Sequence, residues 1–324
     1  MQIYWKPLTA EDISSLVHIG HVQNDAAKTG VTVLWFPNGA TMGCDVSGGG
    51  PASRETTLAS PMTADNPINA VVLSGGSAYG LAASDGVLQC LEENGIGYDT
   101  GVAVVPLVCQ SCIYDLGYGD ASIRPDRKMG YDACRKALQG TSEQVGNVGV
   151  GTGATVGKIC GMQRASKSGF GFAAYQIGEL RIAAAVAVNA LGDVTDPRTG
   201  ERLAGVHSPD RLRFSDTMEE LLQAASISFP QKTNTTIGCI ITNAALQKAE
   251  AGKLASMTRA AYARCIRPVG TLADGDTIYA ASVGKVPADL SILGAFSSKV
   301  MEEAICCAVR RASVSESEYF REIQ

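Results

Sequence analysis

Apolar and polar positions along the chain form blocks that predict interleaved strands and helices. Short, fully apolar runs predict buried strands, and longer segments with apolar residues at i, i+3, i+4 and i+7 predict amphipathic helices. The predicted strands cover residues 31–36, 70–73, 102–108 (interrupted by Pro106), 181–188, 237–242 and 277–282. The predicted helices cover residues 81–94, 128–139, 217–226, 248–264 and 288–312. Ser215 or Asp216 is the predicted N-cap of the third helix, and Pro287 lies at the start of the last.

Several predicted strands are apolar throughout rather than alternating, which indicates sheets that are covered on both faces. Helices must supply that cover, so the pattern predicts an α/β fold. A chain of 324 residues without internal repeats fits one large layered domain.

The charged and apolar positions limit the kinds of partner that this protein is expected to bind. The net charge is −5 and no block of Lys and Arg is present, so a nucleic-acid partner is not expected. The apolar runs are too short to cross a bilayer, and no secretory signal pattern opens the chain. We therefore expect a cytoplasmic protein without a membrane partner.

The cysteines and histidines do not form a recognisable metal or catalytic set. Cys109 and Cys112 have metal or redox spacing, but no second such pair or close histidine pair completes a zinc site. The histidines are His18, His21 and His207, and nothing in their spacing indicates a Ser-His-Asp triad. We expect no metal and no cofactor, and a hydrolase built on this chain would use a base other than histidine.

Two glycine-rich segments resemble phosphate-binding loops only superficially. Residues 74–80 (SGGSAYG) lie between a predicted strand and a predicted helix, and residues 149–153 (GVGTG) form a second cluster. Neither has the Gly-Lys-Ser/Thr ending of a P-loop or a clean GxGxxG spacing. The pattern favours structural turns over a nucleotide site.

A polar segment, residues 231–236 (QKTNTT), opens directly into the predicted strand 237–242. A threonine at the start of a buried strand is ordinary, because threonine has a high β-propensity. The local pattern alone therefore does not mark Thr235 as a nucleophile.

A longer set of ordered segments resembles a known family. The segments are 18–21 (HIGH), 44–51 (CDVSGGGP), 53–56 (SRET), 73–81 (LSGGSAYGL), 149–154 (GVGTGA), 188–194 (VNALGDV), 234–238 (NTTIG), 242–244 (TNA) and 274–277 (DGDT). Together they are similar to the DmpA peptidases (peptidase family S58), which include L-aminopeptidase D-amidase/D-esterases, β-aminopeptidases and nylon-oligomer endo-hydrolases. The resemblance spans nearly the whole chain.

The resemblance implies a four-layer αββα sandwich of the N-terminal-nucleophile type, in one domain covering 1–324. Members cleave themselves before a Ser or Thr, and here the cut would fall between Asn234 and Thr235. The products would be an α chain, 1–234, and a β chain, 235–324. Thr236 is the competing nucleophile and ranks second. Relatives assemble as tetramers or multiples of them, so a homo-oligomer is expected.

The resemblance also assigns roles. Thr235 would be the nucleophile and, through the α-amine freed by cleavage, the general base; that amine has an ordinary pKa of about 7.7–8.0. The acids that would orient it are Asp274 and Asp276, and the oxyanion donors would be Lys158, Asn189 and Tyr114. The implied reaction is hydrolysis of short peptides or peptide-like amides through an acyl-enzyme.

The chain departs from the family pattern at two places. Many relatives carry a histidine in the helix after the nucleophile strand, where this chain has Thr258-Arg259, and a His-Thr pair where it has Gly270-Thr271. These departures concern substrate choice. Two alternatives stay open: an acyltransferase of the ornithine acetyltransferase type, and a non-enzymatic member that does not process itself.

Overall fold

The computed structural model describes residues 5–224, 234–312 and 314–323. Its strands are β1 Trp5–Leu8, β2 His18–Asn24, β3 Thr29–Val46, β4 Ser53–Arg54, β5 Ile68–Ser74, β6 Tyr98–Asp99, β7 Val104–Val105, β8 Val108–Cys112, β9 Thr155–Val156, β10 Ser166–Lys167, β11 Phe170–Ile177, β12 Leu180–Asn189, β13 Asp193–Thr195, β14 Arg202–Ala204, β15 Thr235–Ala244, β16 Ile266–Arg267 and β17 Thr277–Val286. Its α-helices are α1 Ala83–Glu93, α2 Arg127–Gln139, α3 Thr217–Ala224, α4 Lys248–Thr258, α5 Ala260–Cys265, α6 Leu290–Arg310 and α7 Glu316–Glu322.

The long strand β3 belongs to two sheets. Its C-terminal part pairs with β17, from Thr41 opposite Ser282 to Val46 opposite Thr277. Its N-terminal part pairs with β2 and β5. The first sheet therefore runs β1-β11-β12-β15-β17-β3, and the second contains β2, β3, β5, β8 and β4. A register shift between Trp35 and Ala40 separates the two parts.

Three apolar cores separate the layers. One core joins the inner faces of both sheets and includes Leu34, Val71 and Ile237. A second lies between the first sheet and helices α4, α5 and α6, and a third lies between the second sheet and helices α1 and α2. The order helices–sheet–sheet–helices confirms the predicted αββα sandwich, because each apolar sheet face is buried against another layer.

Some predicted elements were wrong in extent. The predicted strand 102–108 is two strands, β7 and β8, because Pro106 cannot donate to the ladder. The predicted helix 248–264 is divided between α4 and α5 at Arg259, after Thr258 bonds back to the carbonyl of Leu254 at 2.8 Å, a bond that bends helices. The predicted strand 31–36 is part of the 18-residue β3. The last helix begins after the cap Asp289 and ends at Arg310, within the predicted range 288–312.

The predicted N-cap of the third helix is confirmed. Asp216, rather than Ser215, caps α3 by accepting from the backbone N–H of Met218 at 2.8 Å. Residues 225–226 of the predicted helix, and the polar segment 231–233, lie outside the described residues. Within the described ranges, no helix has both the length and the apolarity that a membrane crossing requires.

The Cys109 and Cys112 thiols are buried in β8, as expected for structural cysteines. The Cys109 thiol bonds to the carbonyl of Glu55 at 3.3 Å, and the Cys112 sulfur lies 3.1 Å from the Ser74 hydroxyl. Burial raises the pKa of each thiol to about 12, so both stay protonated near neutral pH.

Candidate active site

The sheet topology brings the implied catalytic segments to one edge. Strands β15 and β17 are parallel neighbours, so the residues that precede both strands meet at the same edge. There Asn234 and Asp274 form a parallel bridge, and Asn189, the last residue of β12, pairs with Thr235. Parallel pairing thus places Thr235 beside the Asp274-Gly275-Asp276 turn.

The Thr235 side chain contacts the carbonyl group of the peptide bond that precedes it. It is buried, and its hydroxyl donates to the carbonyl oxygen of Asn234. The backbone N–H of Gly275 donates to the same oxygen at 2.9 Å. Two donors on one carbonyl oxygen polarise that carbonyl and are placed to stabilise negative charge that develops on it.

The two acids of the turn are buried, and each carboxylate accepts hydrogen bonds from neighbouring residues. One carboxylate oxygen of Asp276 accepts from the Thr236 N–H at 2.6 Å, and the other accepts from the Gly270 N–H at 2.9 Å. Asp274 accepts from both the N–H and the hydroxyl of Thr271, at 2.7 and 2.6 Å. Asp276 therefore reaches β15 through the backbone of the residue after Thr235.

A glycine-rich segment after β3 holds this turn in place. Gly48 donates to the carbonyl of Asp276 at 3.2 Å, and Gly50 donates to that of Asp274 at 2.8 Å. A Cβ at Gly48 would lie 2.3 Å from the Asp274 carbonyl oxygen and 2.4 Å from the Asp276 nitrogen. Only glycine allows this approach, which gives a physical reason for the GGG of segment 44–51.

We expect Gly48→Ala to displace the acidic turn. The clash is with backbone atoms, so it should cost about 1–3 kcal/mol of stability and lower activity as the acids move. Gly252→Ala is the matched control, because nothing lies within 4 Å of its added Cβ on α4 and alanine favours a helix. Urea unfolding of both variants checks this. Equal stability of Gly48→Ala and wild type would contradict the assignment.

Lys158, Asn189 and Tyr114 form one connected group. The Lys158 ammonium donates to the backbone carbonyl of Asn189 at 2.8 Å. The Asn189 side-chain amide donates to the backbone carbonyl of Tyr114 at 2.8 Å and accepts from the Thr155 N–H at 3.0 Å. The three residues singled out by resemblance are therefore brought together, with Asn189 oriented by bonds on both ends of its amide.

Burial moves the pKa values of two charged groups at this site, Lys158 and Asp276, toward neutral pH. It lowers the pKa of Lys158 to about 7, although the charges of Asp274, Asp115 and Asp276 favour the ammonium. Burial, followed by the charge of Asp274, raises the pKa of Asp276 to about 7. Groups with pKa values near the working pH suit proton transfer.

The raised pKa of Asp276 predicts a pH-dependent stability. Native Asp276 keeps its proton up to about pH 7, whereas the unfolded chain loses it near 3.8. Between these values the unfolded state binds fewer protons, so this group lowers the free energy of unfolding as pH rises, and the effect is complete above pH 7. As pH rises through this range, we expect the free energy of unfolding of Asp276→Asn to increase relative to that of wild type. Urea unfolding at both ends tests it, and a pH-independent difference would refute it.

A cavity of about 200 Å³, the front cavity, opens beside this group. It is lined by Tyr114, Asp115, Gly117, Tyr118, Thr155, Lys158, Gly161 and Met162. Sequence reasoning missed Asp115. Its carboxylate accepts from the Thr29 hydroxyl at 2.6 Å and the Gly76 N–H at 2.7 Å, and burial raises its pKa to about 6. An acid three residues after the end of the buried strand β8 is the signal that could have found it.

The Gly76 contact also accounts for the loop at 74–80, since an N–H that could have met a phosphate meets the Asp115 carboxylate. The second loop, 149–153, is held by Lys167, which the sequence did not indicate. Its ammonium donates to the carbonyls of Gly151 at 2.9 Å and Ala154 at 3.1 Å, and burial lowers its pKa to about 7. Both loops are structural turns, as expected.

Thr236 and the histidines lie apart from the Thr235 side chain. Ile237 and Cys239 point into the core between the sheets, so alternation along β15 directs Thr235 to that side and Thr236 toward the helices. In the described part of the chain the Thr236 hydroxyl has no hydrogen-bond partner. The histidines bond elsewhere: His18 to Ala137, His21 to Thr32 and His207 to Ser166.

Known proteins resemble this chain along most of its length. The profile of peptidase family S58 matches residues 12–319. An uncharacterized aminopeptidase of Mycobacterium tuberculosis is 38% identical over 287 residues, which cover 83% of this chain and 80% of that protein. A 6-aminohexanoate-oligomer endohydrolase of Kocuria sp. is 30% identical over 314 residues, covering 91% of this chain and 84% of that protein.

Solved structures share the fold. The L-aminopeptidase D-Ala-esterase/amidase of Ochrobactrum anthropi, described as a variant of the Ntn-hydrolase fold, superposes with a TM-score of 0.68 at 16% identity, covering 100% of this chain and 92% of that one. A Burkholderia sp. beta-aminopeptidase superposes with a TM-score of 0.67 at 19% identity, covering 97% and 90%. The family match across nearly the whole chain carries the conclusion: this protein belongs to peptidase family S58 and is a hydrolase of peptide or amide bonds.

Proposed function

We propose that the chain cleaves itself between Asn234 and Thr235, and that the new N-terminal threonine then hydrolyses short peptides or peptide-like amides. The observation that carries this proposal is the shared carbonyl oxygen of Asn234, which accepts from both the Thr235 hydroxyl and the Gly275 N–H. A nucleophile and an oxyanion donor thus meet at one peptide bond.

The self-cleavage would run as an N→O shift. The Thr235 oxygen attacks the carbonyl carbon of Asn234, the hydroxyl proton passes to the departing nitrogen, and an ester forms. Gly275 donates to the developing oxyanion, and one such donor is worth about 2.7–4 kcal/mol. Water then hydrolyses the ester, which frees the Thr235 α-amine and hydroxyl and leaves Asn234 as a carboxyl terminus.

Substrate hydrolysis would repeat the second half of this chemistry. The ester of self-cleavage is an acyl-enzyme in which residues 1–234 are the acyl group, so a substrate acyl group takes the same oxygen. The freed α-amine serves as base because its ordinary pKa lies near neutrality. Lys158 and Asn189, with Tyr114 at the cavity wall, complete the electrostatic surroundings.

The front cavity suits a short acyl group. Its volume of about 200 Å³ accommodates an amino acid or a 6-aminohexanoate unit but not a folded chain. Asp115 is the acid in its wall and would meet a substrate ammonium. The names of the relatives, aminopeptidase and 6-aminohexanoate-oligomer endohydrolase, favour the same substrate class.

Trapping the acyl-enzyme tests the proposal. A short aminoacyl nitrophenyl ester should add its acyl mass to the fragment that begins at Thr235, and water should release the acid. Preferred release to an added amine would instead identify an acyltransferase. An unmodified, intact chain that releases nothing would identify a non-enzymatic member. Light scattering of the same sample tests the expected homo-oligomer.

A further inference from the structure

A second cavity, the rear cavity, lies on the opposite side of β15 from the Thr235 side chain. Its volume is about 410 Å³, and it is lined by Ser47, Ser256, Arg259, Ala260, Tyr262, Ala263, Val269, Gly270 and Asp276. Arg259, Ala260, Ala263 and Gly270 are exposed, whereas Asp276 is 1% exposed. The cavity therefore leads from the surface, between α4 and α5, to the buried carboxylate of the acidic turn.

Two buried hydroxyls on this side lack protein partners. Tyr262 is 0% exposed, and neither its hydroxyl nor that of Thr236 has a hydrogen-bond partner among the described residues. A buried hydroxyl left unbonded costs about 1–3 kcal/mol. A polar cavity needs only about 10–15 Å³ to hold a water. The rear cavity exceeds that many times and is lined by Tyr262 and Asp276 but not by Thr236, so its size and its polar lining favour water beside Tyr262 and the Asp276 carboxyl.

We propose that the rear cavity is filled with ordered water and carries protons between Asp276 and bulk solvent. This inference rests on the proposed function and adds one step to it: the Thr235 α-amine stays the base, and Asp276, one of the acids that would orient it, exchanges its proton with solvent during turnover. A substrate in the front cavity covers the Lys158 side of the site. The rear cavity stays open to solvent while substrate is bound, because it reaches Asp276 from the side of the helices.

The charged surroundings allow the exchange. The charge of Asp274 raises the pKa of Asp276, and the charge of Lys158 lowers it. On the other side of the carboxyl, Tyr262 and Arg259 line the cavity. Arg259 is paired with Asp45 at 3.2 Å near the opening. Asp276 would pass its proton to a cavity water, which passes a proton outward, and the reverse sequence would reload it. No other reactant is consumed.

A plug variant tests the route. Ser256 lines the cavity on α4, so Ser256→Trp should displace the water. Ala249 is exposed on the same helix, and Ala249→Trp is the matched control. The infrared band of the protonated Asp276 carboxyl, identified by its loss in Asp276→Asn, is followed after a rapid pH jump across neutrality. We expect relaxation to slow by about tenfold or more in Ser256→Trp, in line with a lost proton-transfer route, and to be unchanged in the control.

Hydrolysis supplies the second measurement. For a small amide, Ser256→Trp should lower kcat by about the same factor with an unchanged KM, because the front cavity is untouched. Equal relaxation in the plug and control variants would overturn the proposal, whatever the activity. Absence of any hydrolysis by the wild type would instead count against the proposed function, and the relaxation would still decide the fate of the water route. Thermal unfolding of each variant confirms that it is folded.

Discussion

Replacing Thr235 with alanine is expected to leave a single chain of 33.7 kDa and to abolish amide hydrolysis. The substitution removes the hydroxyl that lies on the Asn234 carbonyl, so neither the N→O shift nor an acyl-enzyme can form. Removing a covalent nucleophile lowers kcat by about 10⁴-fold or more. Intact-mass measurement after incubation at neutral pH, together with an amide assay, checks both effects.

Two further variants make the assignment specific. Thr235→Ser keeps a hydroxyl and should still cleave, whereas Thr236→Ala removes a hydroxyl that faces the helices and should cleave and hydrolyse within a few-fold of wild type. Two fragments from Thr235→Ala would reject the nucleophile. An uncut Thr236→Ala chain of normal stability would transfer the role to Thr236.

Lys158→Met is the second change with a large expected effect. Methionine preserves the buried apolar stem but removes the ammonium from a site that holds Asp274, Asp115 and Asp276. Loss of one electrostatic stabiliser of this kind lowers kcat by about 10²–10³-fold. It also removes a positive charge that holds down the pKa of Asp276, so the limb of the pH–rate profile that reports Asp276 should move to higher pH.

Lys167→Met is the matched control for this variant. Lys167 is equally a buried lysine whose pKa burial lowers to about 7, but its ammonium bonds to the carbonyls of Gly151 and Ala154. Its loss should lower stability and leave the pH–rate profile in place. A profile that moves in Lys167→Met but not in Lys158→Met would contradict the assigned roles.

The sequence predicted the fold class and the grouping of the site for identifiable reasons. Apolar runs such as 237–242 indicated strands covered on both faces, and the cores on both sides of β15 confirm this. The DGD turn and the NTTIG segment precede two strands that are parallel neighbours. Their separation in the sequence says nothing about that pairing, so the resemblance to a family had to supply it.

Other features could not be predicted because they depend on tertiary contacts. Lys167 looks like an ordinary charged residue until the carbonyls of Gly151 and Ala154 accept hydrogen bonds from it. The register shift that separates the two parts of β3 is a property of strand pairing that local propensity does not encode. The rear cavity is lined by residues of both α4 and α5, on either side of Arg259, where the pattern predicted one continuous helix.

The most direct test of the central claim is the N-terminal sequence of the purified wild-type protein, read together with its intact mass. Self-cleavage before Thr235 predicts two chains, with the smaller one beginning Thr-Thr-Ile-Gly at Thr235. A single chain of 33.7 kDa that persists at neutral pH, or a smaller fragment that begins at another residue, would contradict it.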